Sequence, residues 1–268
     1  MNPSSSAPVS AAVPLVFITG ASSGIGQALA LRYHRSGWRV ALVARRRDQL
    51  AQWVAEQGLD PARVAVFGAD VRDLASIAAA AQACLDSQGL PDVVIANAGI
   101  SVGMDSAVAA DLEVMRATFE TNNLGLAASF QPFLAGMRER RSGSLVGIAS
   151  VAAIRGLPGH GAYCASKAAV VAYCESLRGE CQPFGLQVVT LLPGYIATPL
   201  TSRNRYPMPF LMSAQDFAEQ AQRAIAAGAS YRVIPWQMGL AAKLMRLLPN
   251  ALFDRLFAGR GRKRRQGE

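Results

Sequence analysis

The sequence is poor in the residues that build metal sites and disulfide frameworks. Among its 268 residues there are only two histidines, His34 and His160. A C-x-x-C pair is the usual sign of a zinc or redox site, and this sequence has none. Its cysteines stand far apart, at Cys84, Cys164, Cys174 and Cys181. We therefore expect no metal site and no disulfides, and we interpret the cysteines as small buried thiols in a reducing compartment.

Charged residues and long apolar runs are also scarce. Charged residues make up 17% of the chain against 51% hydrophobic residues, so a sizeable core can be buried. No apolar run reaches the roughly 18 consecutive residues that a membrane-spanning helix needs. The first apolar segment, Leu15–Ile18, has no basic residue before it and continues into Thr19-Gly20. That pattern is typical of a first strand rather than a signal peptide, and we expect residues 1–13 to be a flexible leader.

The net charge of +9 is concentrated near the C-terminus. Residues 251–268 contain six basic residues and two acidic ones, so they supply +4, and the remaining 250 residues carry only +5. A protein that binds nucleic acid through its folded domain would be expected to carry the basic charge on that domain. We therefore expect no nucleic-acid partner.

Short apolar, β-branched runs alternate with longer helical patterns. The runs predict strands at Leu15–Thr19, Arg39–Ala44, Arg63–Phe67, Val93–Ala96, Ser144–Ser150, Leu186–Leu192 and Tyr231–Ile234. The stretches between them predict helices at Ile25–Ser36, Leu74–Ser87, Ala107–Arg140 (with a break) and Ala162–Gln182. Such alternation indicates βαβ units, and continuous apolar strands indicate a parallel sheet that is covered on both faces. We predict a single α/β domain of Rossmann type, with a doubly wound, mostly parallel sheet of seven strands and helices on both faces.

A glycine-rich segment, TGASSGIG at residues 19–26, follows the first predicted strand. Its spacing is G-x-x-x-G-x-G and not the G-x-G-x-x-G of the commonest dinucleotide fingerprint. Glycines let the backbone turn tightly and approach a pyrophosphate, which then lies over a helix N-terminus. The segment therefore predicts nucleotide binding. The residues that we assign to the cofactor here are Gly20, Ser22, Ser23, Gly24, Ile25 and Gly26.

The end of the second predicted strand favours NADP(H). An acidic residue about 20 positions after the glycine loop suits the ribose 2′-hydroxyl of NAD, whereas an arginine suits the 2′-phosphate of NADP. Here the position holds Arg45, followed by Arg46 and Arg47. A guanidinium pairs with a phosphate through two hydrogen bonds. We assign Arg45 and Arg46 to the cofactor and interpret Arg47 as the solvated start of a helix; NAD(H) stays open as the alternative.

Three motifs together resemble the short-chain dehydrogenase/reductase family. They are TGASSGIG (19–26), NAG (97–99) after the fourth predicted strand, and YCASK (163–167), in the family's order and spacing. The similarity extends over roughly residues 14–235. It implies an NADP-binding catalytic domain over 14–235, with a substrate lid at about 200–228, that interconverts a carbonyl and an alcohol by hydride transfer.

The resemblance also implies four catalytic residues. Tyr163 and Lys167 form the Tyr-x-x-x-Lys pair, and Ser150 stands thirteen residues before the tyrosine. Asn122 lies in an N-x-x-G pattern, with Asn123 as the second choice. In this interpretation Tyr163 is the acid and base and Ser150 hydrogen-bonds the substrate oxygen. Lys167 would lower the tyrosine pKa and hold the nicotinamide ribose, and Asn122 would anchor a water.

Further cofactor positions follow from the same resemblance. They stand after the third, fourth and sixth predicted strands, where ligands bind in open sheets. One departure is Ala96, which stands where many relatives have another asparagine. The positions are Asp70, Val71, Asn97, Ala98, Gly99, Pro193, Gly194, Ile196 and Thr198, together with Tyr163 and Lys167.

Residues 236–268 predict an amphipathic helical extension that ends in a basic tail. One apolar face would contain Leu240, Leu244, Leu247 and Leu248, and a second stripe would contain Leu252, Phe253, Leu256 and Phe257. Two interpretations stay open. Either both helices pack on the domain before a disordered tail, or the pair lies on an anionic membrane surface and delivers a lipid-like substrate.

The expected activity is therefore NADP(H)-dependent oxidation and reduction of a small-molecule alcohol or carbonyl. An apolar or lipid-like substrate suits the lid segment, in which Met208, Phe210, Leu211 and Met212 are candidate wall residues. The main alternative is a non-catalytic NADP sensor on the same fold, although such a protein would be expected to lose a catalytic residue. The resemblance implies a homodimer or homotetramer. We expect a cytoplasmic protein, or one held peripherally at the inner face of a membrane.

Overall fold

The computed structural model describes residues 13–202, 204, 207–257, 263 and 265, so most of the predicted leader lies outside the described residues. Its strands are β1 (Leu15–Thr19), β2 (Arg39–Ala44), β3 (Val64–Gly68), β4 (Val93–Ala96), β5 (Ser144–Ile148), β6 (Gln187–Pro193), β7 (Ile196–Ala197), β8 (Met212–Ser213) and β9 (Tyr231–Ile234). Seven of them form a sheet in the order β3-β2-β1-β4-β5-β6-β9, and all its pairings are parallel. The predicted doubly wound α/β domain is confirmed.

Helices cover both faces of this sheet. They are α1 (Gly24–Arg35), α2 (Arg47–Glu56), α3 (Leu74–Gln88), α4 (Asp111–Phe119), α5 (Gly125–Arg140), α6 (Gly161–Cys181), α7 (Ala214–Ala226), α8 (Trp236–Leu247) and α9 (Asn250–Phe257). The break that the sequence predicts between residues 107 and 140 is confirmed, because a π-helical turn at Glu120–Leu124 separates α4 from α5. In the residues that the structure describes, no helix is both long and apolar enough to cross a membrane.

The sheet is buried on both sides, as the continuous apolar strands indicate. In β1, Leu15 and Phe17 pack with α3 and α5, whereas Val16 and Ile18 pack with α1 and α7. All four side chains are fully buried. The rings of Phe17 and Phe133 meet edge to face, with centroids 4.8 Å apart. This packing on both faces holds the strands in place, and the cavity described below lies at their carboxyl ends.

Strand β5 is shorter than the sequence indicates. The prediction extended it to Ser150, but the structure ends it at Ile148. The reason is a turn: Ser150 caps a short 3-10 helix, and its Oγ accepts a hydrogen bond from Ala152 N at 3.2 Å. The serine therefore stands in the turn that follows the strand, where it lines the cavity described below.

Helix α7 belongs to the core and not to a movable segment. Phe217 and Ala221 are fully buried against the sheet face that α1 also covers. The helix begins at Ser213, whose Oγ accepts from Asp216 N at 3.0 Å, as the Ser-x-x-Asp pattern indicates. We therefore propose that the lid that the sequence predicts at about 200–228 ends before α7.

The C-terminal extension packs on the domain through one face of α8. Met238 and Ala242 of α8 are buried. Leu240, Leu244 and Leu247 point away, with 54%, 57% and 79% of their surface exposed. Met238 and Ala242, which lie on another side of α8 than these leucines, therefore make the contact with the domain.

One side chain of the domain anchors the extension. Arg155 donates hydrogen bonds to the carbonyl oxygens of Met245 and Leu248 and to Asn250 Oδ1. Its guanidinium also stacks 3.8 Å from the centroid of the Phe253 ring. These contacts satisfy carbonyl groups at the end of α8 that its own helix leaves open.

We predict that an Arg155→Ala substitution loosens the extension locally. Losing these hydrogen bonds and the cation–π contact should lower the free energy for opening residues 236–257 by about 2 kcal/mol. Hydrogen exchange would show faster exchange there and unchanged exchange in the central strands. The matched control is Arg178→Ala, at an exposed arginine of α6. Equal protection of the extension in Arg155→Ala and the native chain would contradict this prediction.

Candidate cofactor and catalytic site

A cavity of about 650 Å³ lies above the carboxyl ends of the central strands. In the sheet, β1 has β2 on one side and β4 on the other, so the strand order reverses direction at β1. The cavity lies at this switch point, where open α/β sheets bind ligands. Nearly all the residues that the sequence assigns to the cofactor or to catalysis line it, and the exceptions are Gly26 and Asn122. The lining residues that the sequence assigned are Gly20, Ser22, Ser23, Gly24, Ile25, Arg45, Arg46, Asp70, Val71, Asn97, Ala98, Gly99, Ser150, Tyr163, Lys167, Pro193, Gly194, Ile196 and Thr198.

The glycine loop forms one end of this cavity. Gly20 has a φ of +66°, which side chains with a Cβ rarely adopt. Gly26 is required for packing, because a Cβ there would lie 2.2 Å from the carbonyl oxygen of Gly20. Asn97 Nδ2 closes the turn by donating to the carbonyl oxygens of Thr19 and Gly20, at 3.0 and 3.1 Å.

This loop is a cradle that fits a dinucleotide pyrophosphate. Helix α1 begins directly behind it, and its N-cap, Ser23, makes no side-chain capping bond. The first N–H groups of the helix therefore have no side-chain acceptor at the cap, and the positive end of the helix dipole lies beside the loop. An anion placed there would meet free donors and a favourable field.

Three arginines lie at the cavity rim beyond β2 and β3. Arg45 and Arg46 are exposed and, in the part of the chain that the structure describes, form no ion pair. Arg72, which the sequence analysis missed, forms an ion pair with Asp70 at 2.8 Å. The hydrogen bond from Arg72 is the main cause that holds the pKa of Asp70 below its usual value. The only carboxylate among the lining residues is thus paired, and Arg45 and Arg46 are left to bind an anion.

Ser150, Tyr163 and Lys167 meet at the other end of the cavity. The Ser150 hydroxyl hydrogen-bonds to Tyr163, and the Nζ atom of Lys167 lies 5.9 Å from the tyrosine ring centroid. Lys167 is buried on α6, and its Nζ donates to the carbonyl oxygen of Ile148 at 2.7 Å. One helix and one strand end therefore bring the three side chains together, since α6 follows the turn after β5.

Burial dominates the electrostatics of the pair. It raises the pKa of Tyr163, and the hydrogen bond from Ser150 only opposes that rise. It also lowers the pKa of Lys167 from 10.5 to about 8. Lys167 is not among the causes of the pKa shift at Tyr163. The expectation that Lys167 lowers the tyrosine pKa beside a bound nicotinamide stays a prediction.

Asn122 supports the site from behind and does not face the cavity. Its side chain is fully buried. Its Oδ1 accepts from Ile100 N at 2.8 Å, and its Nδ2 donates to Ile100 O and Ser166 Oγ. Asn123, the second choice, donates from Nδ2 to the carbonyl oxygen of Ser166. Both asparagines therefore fasten the π turn to α6, and Asn122 also fixes Ile100, which lines the cavity.

Two residues of the basic tail lie on the loop between β4 and α4. Arg265 forms an ion pair with Asp111 through two contacts of 2.7 and 3.1 Å, and Asp111 is nearly buried. Lys263 Nζ donates to Ser101 Oγ at 2.9 Å, next to the cavity-lining Ile100. For these two residues the interpretation of a disordered tail is wrong. Their sequence context, a run of basic residues, gave no sign of specific partners.

Comparisons with known proteins agree with this arrangement. A family model described as short chain dehydrogenase matches residues 14–208. The chain is 38% identical over 237 residues to an uncharacterised oxidoreductase of Myxococcus xanthus, covering 88% of this chain and 93% of that protein. A short-chain dehydrogenase structure from Burkholderia cenocepacia in complex with NADP is similar at 25% identity, with a TM-score of 0.79 over 92% of this chain and 98% of that one.

A second solved structure carries the other cofactor. It is a short-chain dehydrogenase/reductase from Burkholderia phymatum in complex with NAD, with 25% identity and a TM-score of 0.78. The alignment covers 87% of this chain and 92% of that one. Similar structures thus bind either NADP or NAD, and the comparisons leave the preference of this chain open.

We predict that Gly26→Ala disrupts the glycine loop. The new Cβ would clash with the carbonyl oxygen of Gly20, so the loop must shift. NADPH binding, followed by fluorescence, should weaken by at least about tenfold. Gly179→Ala is the matched control, because a Cβ at that helical position meets nothing within 4 Å. Native affinity in Gly26→Ala would show that the close approach is not needed.

We predict that Arg265→Ala frees the loop between β4 and α4. The Asp111 carboxylate, which also accepts from Asp105 N at 2.7 Å, would lose its cationic partner. Amide exchange over residues 101–111 should become about tenfold faster, the change expected for the loss of one strong ionic hydrogen bond. Arg255→Ala, at an exposed arginine of α9, should change nothing in this loop. Equal exchange in both variants would refute a role for this ion pair.

We predict a specific pH dependence of stability from buried Lys167. Between its folded pKa of about 8 and its ordinary value of 10.5, the unfolded chain binds a proton that the folded chain does not. The free energy of unfolding should therefore rise with pH in this window. Relative to Lys167→Met, the native chain should gain roughly 3 kcal/mol from pH 8 to 10.5 in urea denaturation. A constant difference would mean that the lysine is not buried as described.

Proposed function

The chain belongs to the short-chain dehydrogenase/reductase family and is an oxidoreductase, and we propose that it interconverts a carbonyl and an alcohol with NADP(H) as its preferred cofactor. The observation that carries this proposal is the meeting of Ser150, Tyr163 and Lys167 at one end of a cavity whose other end is the glycine loop. A bound nicotinamide would supply or accept the hydride.

Tyr163 moves the proton. In reduction its hydroxyl donates a proton to the substrate oxygen, and in oxidation the phenolate takes a proton from the substrate hydroxyl. Ser150 hydrogen-bonds the same oxygen and stabilises the charge that develops there. Because burial alone raises the pKa of Tyr163, the protonated form that reduction needs is the resting form of the free chain. The oxidative direction needs added positive charge near the phenol.

Lys167 provides a cation near the phenol, and we assign it to the nicotinamide ribose. In the free chain its Nζ donates to Ile148 O, and a Cβ at Gly99 would lie 3.4 Å from it. The side-chain amide of Asn122 is occupied by Ile100 and Ser166, so Asn122 holds α6, the helix that carries Lys167, in its place.

The preference for NADP(H) rests on charge at the cavity rim. Arg45 and Arg46 are available to a 2′-phosphate, while Asp70, which would otherwise repel it, is held by Arg72. A phosphate between guanidinium groups gains charge-assisted hydrogen bonds that a 2′-hydroxyl cannot make.

The substrate is apolar or lipid-like. Leu200 lines the cavity, and the segment after it exposes the large apolar side chains of Phe210 and Leu211. Exposed apolar side chains are typical of a binding surface. We therefore assign Leu200 and the described residues 207–213 to the substrate lid.

We predict that Tyr163→Phe removes turnover and keeps the cofactor site. A substrate is first found by following NADPH oxidation with ketones and aldehydes of increasing chain length. On that substrate kcat should fall by a factor of about 1,000 or more, since no other group replaces the phenol proton. The dissociation constant for NADPH should stay within about threefold of the native value, because the phenol oxygen adds little binding energy.

The matched control for this test is Tyr173→Phe, one tyrosine further along α6 and half exposed. It should keep full activity. Native turnover in Tyr163→Phe would overturn the proposed mechanism. Tight NADPH binding without turnover of any carbonyl by the native chain would favour the non-catalytic sensor instead.

A further inference from the structure

An apolar stripe runs along the outer side of α8. Its members are Trp236, Leu240, Leu244 and Leu247, with exposed fractions of 64%, 54%, 57% and 79%. Their spacing of four, four and three residues places them on one helical face. The side chains that pack on the domain, Met238 and Ala242, occupy another face. Single exposed apolar residues are ordinary, but a contiguous patch of large ones indicates an interaction site.

Helix α9 also exposes apolar side chains. Leu252 and Leu256 are exposed at 46% and 45%, one turn apart. The other apolar side of α9 packs inward, where Phe253 is buried and stacks on Phe257 with ring centroids 4.4 Å apart. The extension therefore uses one apolar side to hold the domain and presents a second one outward.

Basic side chains border the α8 stripe. Lys243 follows Leu240 by three residues and precedes Leu247 by four, and Arg246 lies one turn further along. Both are exposed, as is Arg255 of α9, and within the described part of the chain none of the three forms an ion pair. Asp254 is the single acidic residue of α8 and α9. Apolar residues with basic neighbours and almost no acidic ones are complementary to anionic lipid headgroups.

We propose that α8 and α9 bind the surface of an anionic lipid bilayer. The stripe lies at the boundary of headgroups and acyl chains, and Lys243 and Arg246 lie among the headgroups. A second copy of the chain is the competing occupant. Interfaces between protein copies are typically depleted of lysine, and Lys243, which borders this stripe, therefore favours lipid.

The extension lies at the same edge of the sheet as the cavity. Gly194, which lines the cavity, packs against Met238 of α8, and the loop after Ser150 carries Arg155, which anchors α8 and α9. A substrate dissolved in the bilayer would thus meet the enzyme beside its cavity. This last step rests on the proposed function, whereas the membrane contact itself does not.

The test is vesicle flotation of the full chain. Vesicles of phosphatidylcholine alone are compared with vesicles that also contain phosphatidylserine. The native chain should float with the anionic vesicles and much less with the neutral ones. The double variant Leu240→Gln/Leu244→Gln should reduce the partition coefficient by about tenfold or more, and Lys243→Glu/Arg246→Glu should remove the preference for phosphatidylserine.

The matched control carries two exposed leucines elsewhere, Leu74→Gln/Leu112→Gln, with native exposures of 52% and 59%. It should float like the native chain. Trp236 gives an independent readout, because its fluorescence should shift to the blue with anionic vesicles and the shift should be absent in Trp236→Phe. Circular dichroism verifies that each variant is folded.

Three outcomes would overturn the inference. The native chain could stay unbound with both vesicle types, or the stripe variant could float as well as the control. The stripe variant could also have a smaller particle mass than the native chain in light scattering, with unchanged flotation. That result would assign the stripe to an interface with a second copy of the chain. None of these readouts uses enzyme activity, so failure here is separate from failure of the proposed function.

Discussion

The site depends on one close approach, between the start of α1 and the turn after β1. Gly26 lies so near the carbonyl oxygen of Gly20 that a Cβ would be 2.2 Å away, and Asn97 bonds the same turn from the end of β4. These contacts hold the N-terminus of α1 beside the gap between β1 and β4. The cavity is at this place because the parallel sheet reverses its winding direction there.

The catalytic end is built by a second set of buried contacts. The π turn before α5 carries Asn122, which joins Ile100 on one side to Ser166 on the other. Helix α6 is thereby fixed against the end of β4, and Tyr163 and Lys167 reach the cavity from it. Burial raises the pKa of Tyr163 and lowers the pKa of Lys167. It therefore favours the uncharged form of both side chains.

The sequence was sufficient for the fold and for most positions around the cavity. A continuous apolar strand such as β1, followed by a glycine-rich loop, has few alternative explanations. The parallel sheet predicted from such strands agrees with the structure. The roles of the residues around the cavity stay predictions. The sequence could not tell that the Asn122 side chain bonds to Ile100 and Ser166 or that Arg72 pairs with Asp70, because side-chain partners depend on packing between distant segments. Helix α8 has apolar residues on two sides, so periodicity alone could not identify the buried one.

The most direct test of the account is a parallel titration of the purified chain with NADPH and with NADH, following nicotinamide fluorescence. With a 2′-phosphate beside Arg45 and Arg46, as proposed, NADPH should bind at least about tenfold tighter than NADH, and this advantage should shrink as salt is added. Equal affinity, or tighter binding of NADH, would contradict the assignment of the arginine rim. Binding of neither would contradict the cofactor site itself.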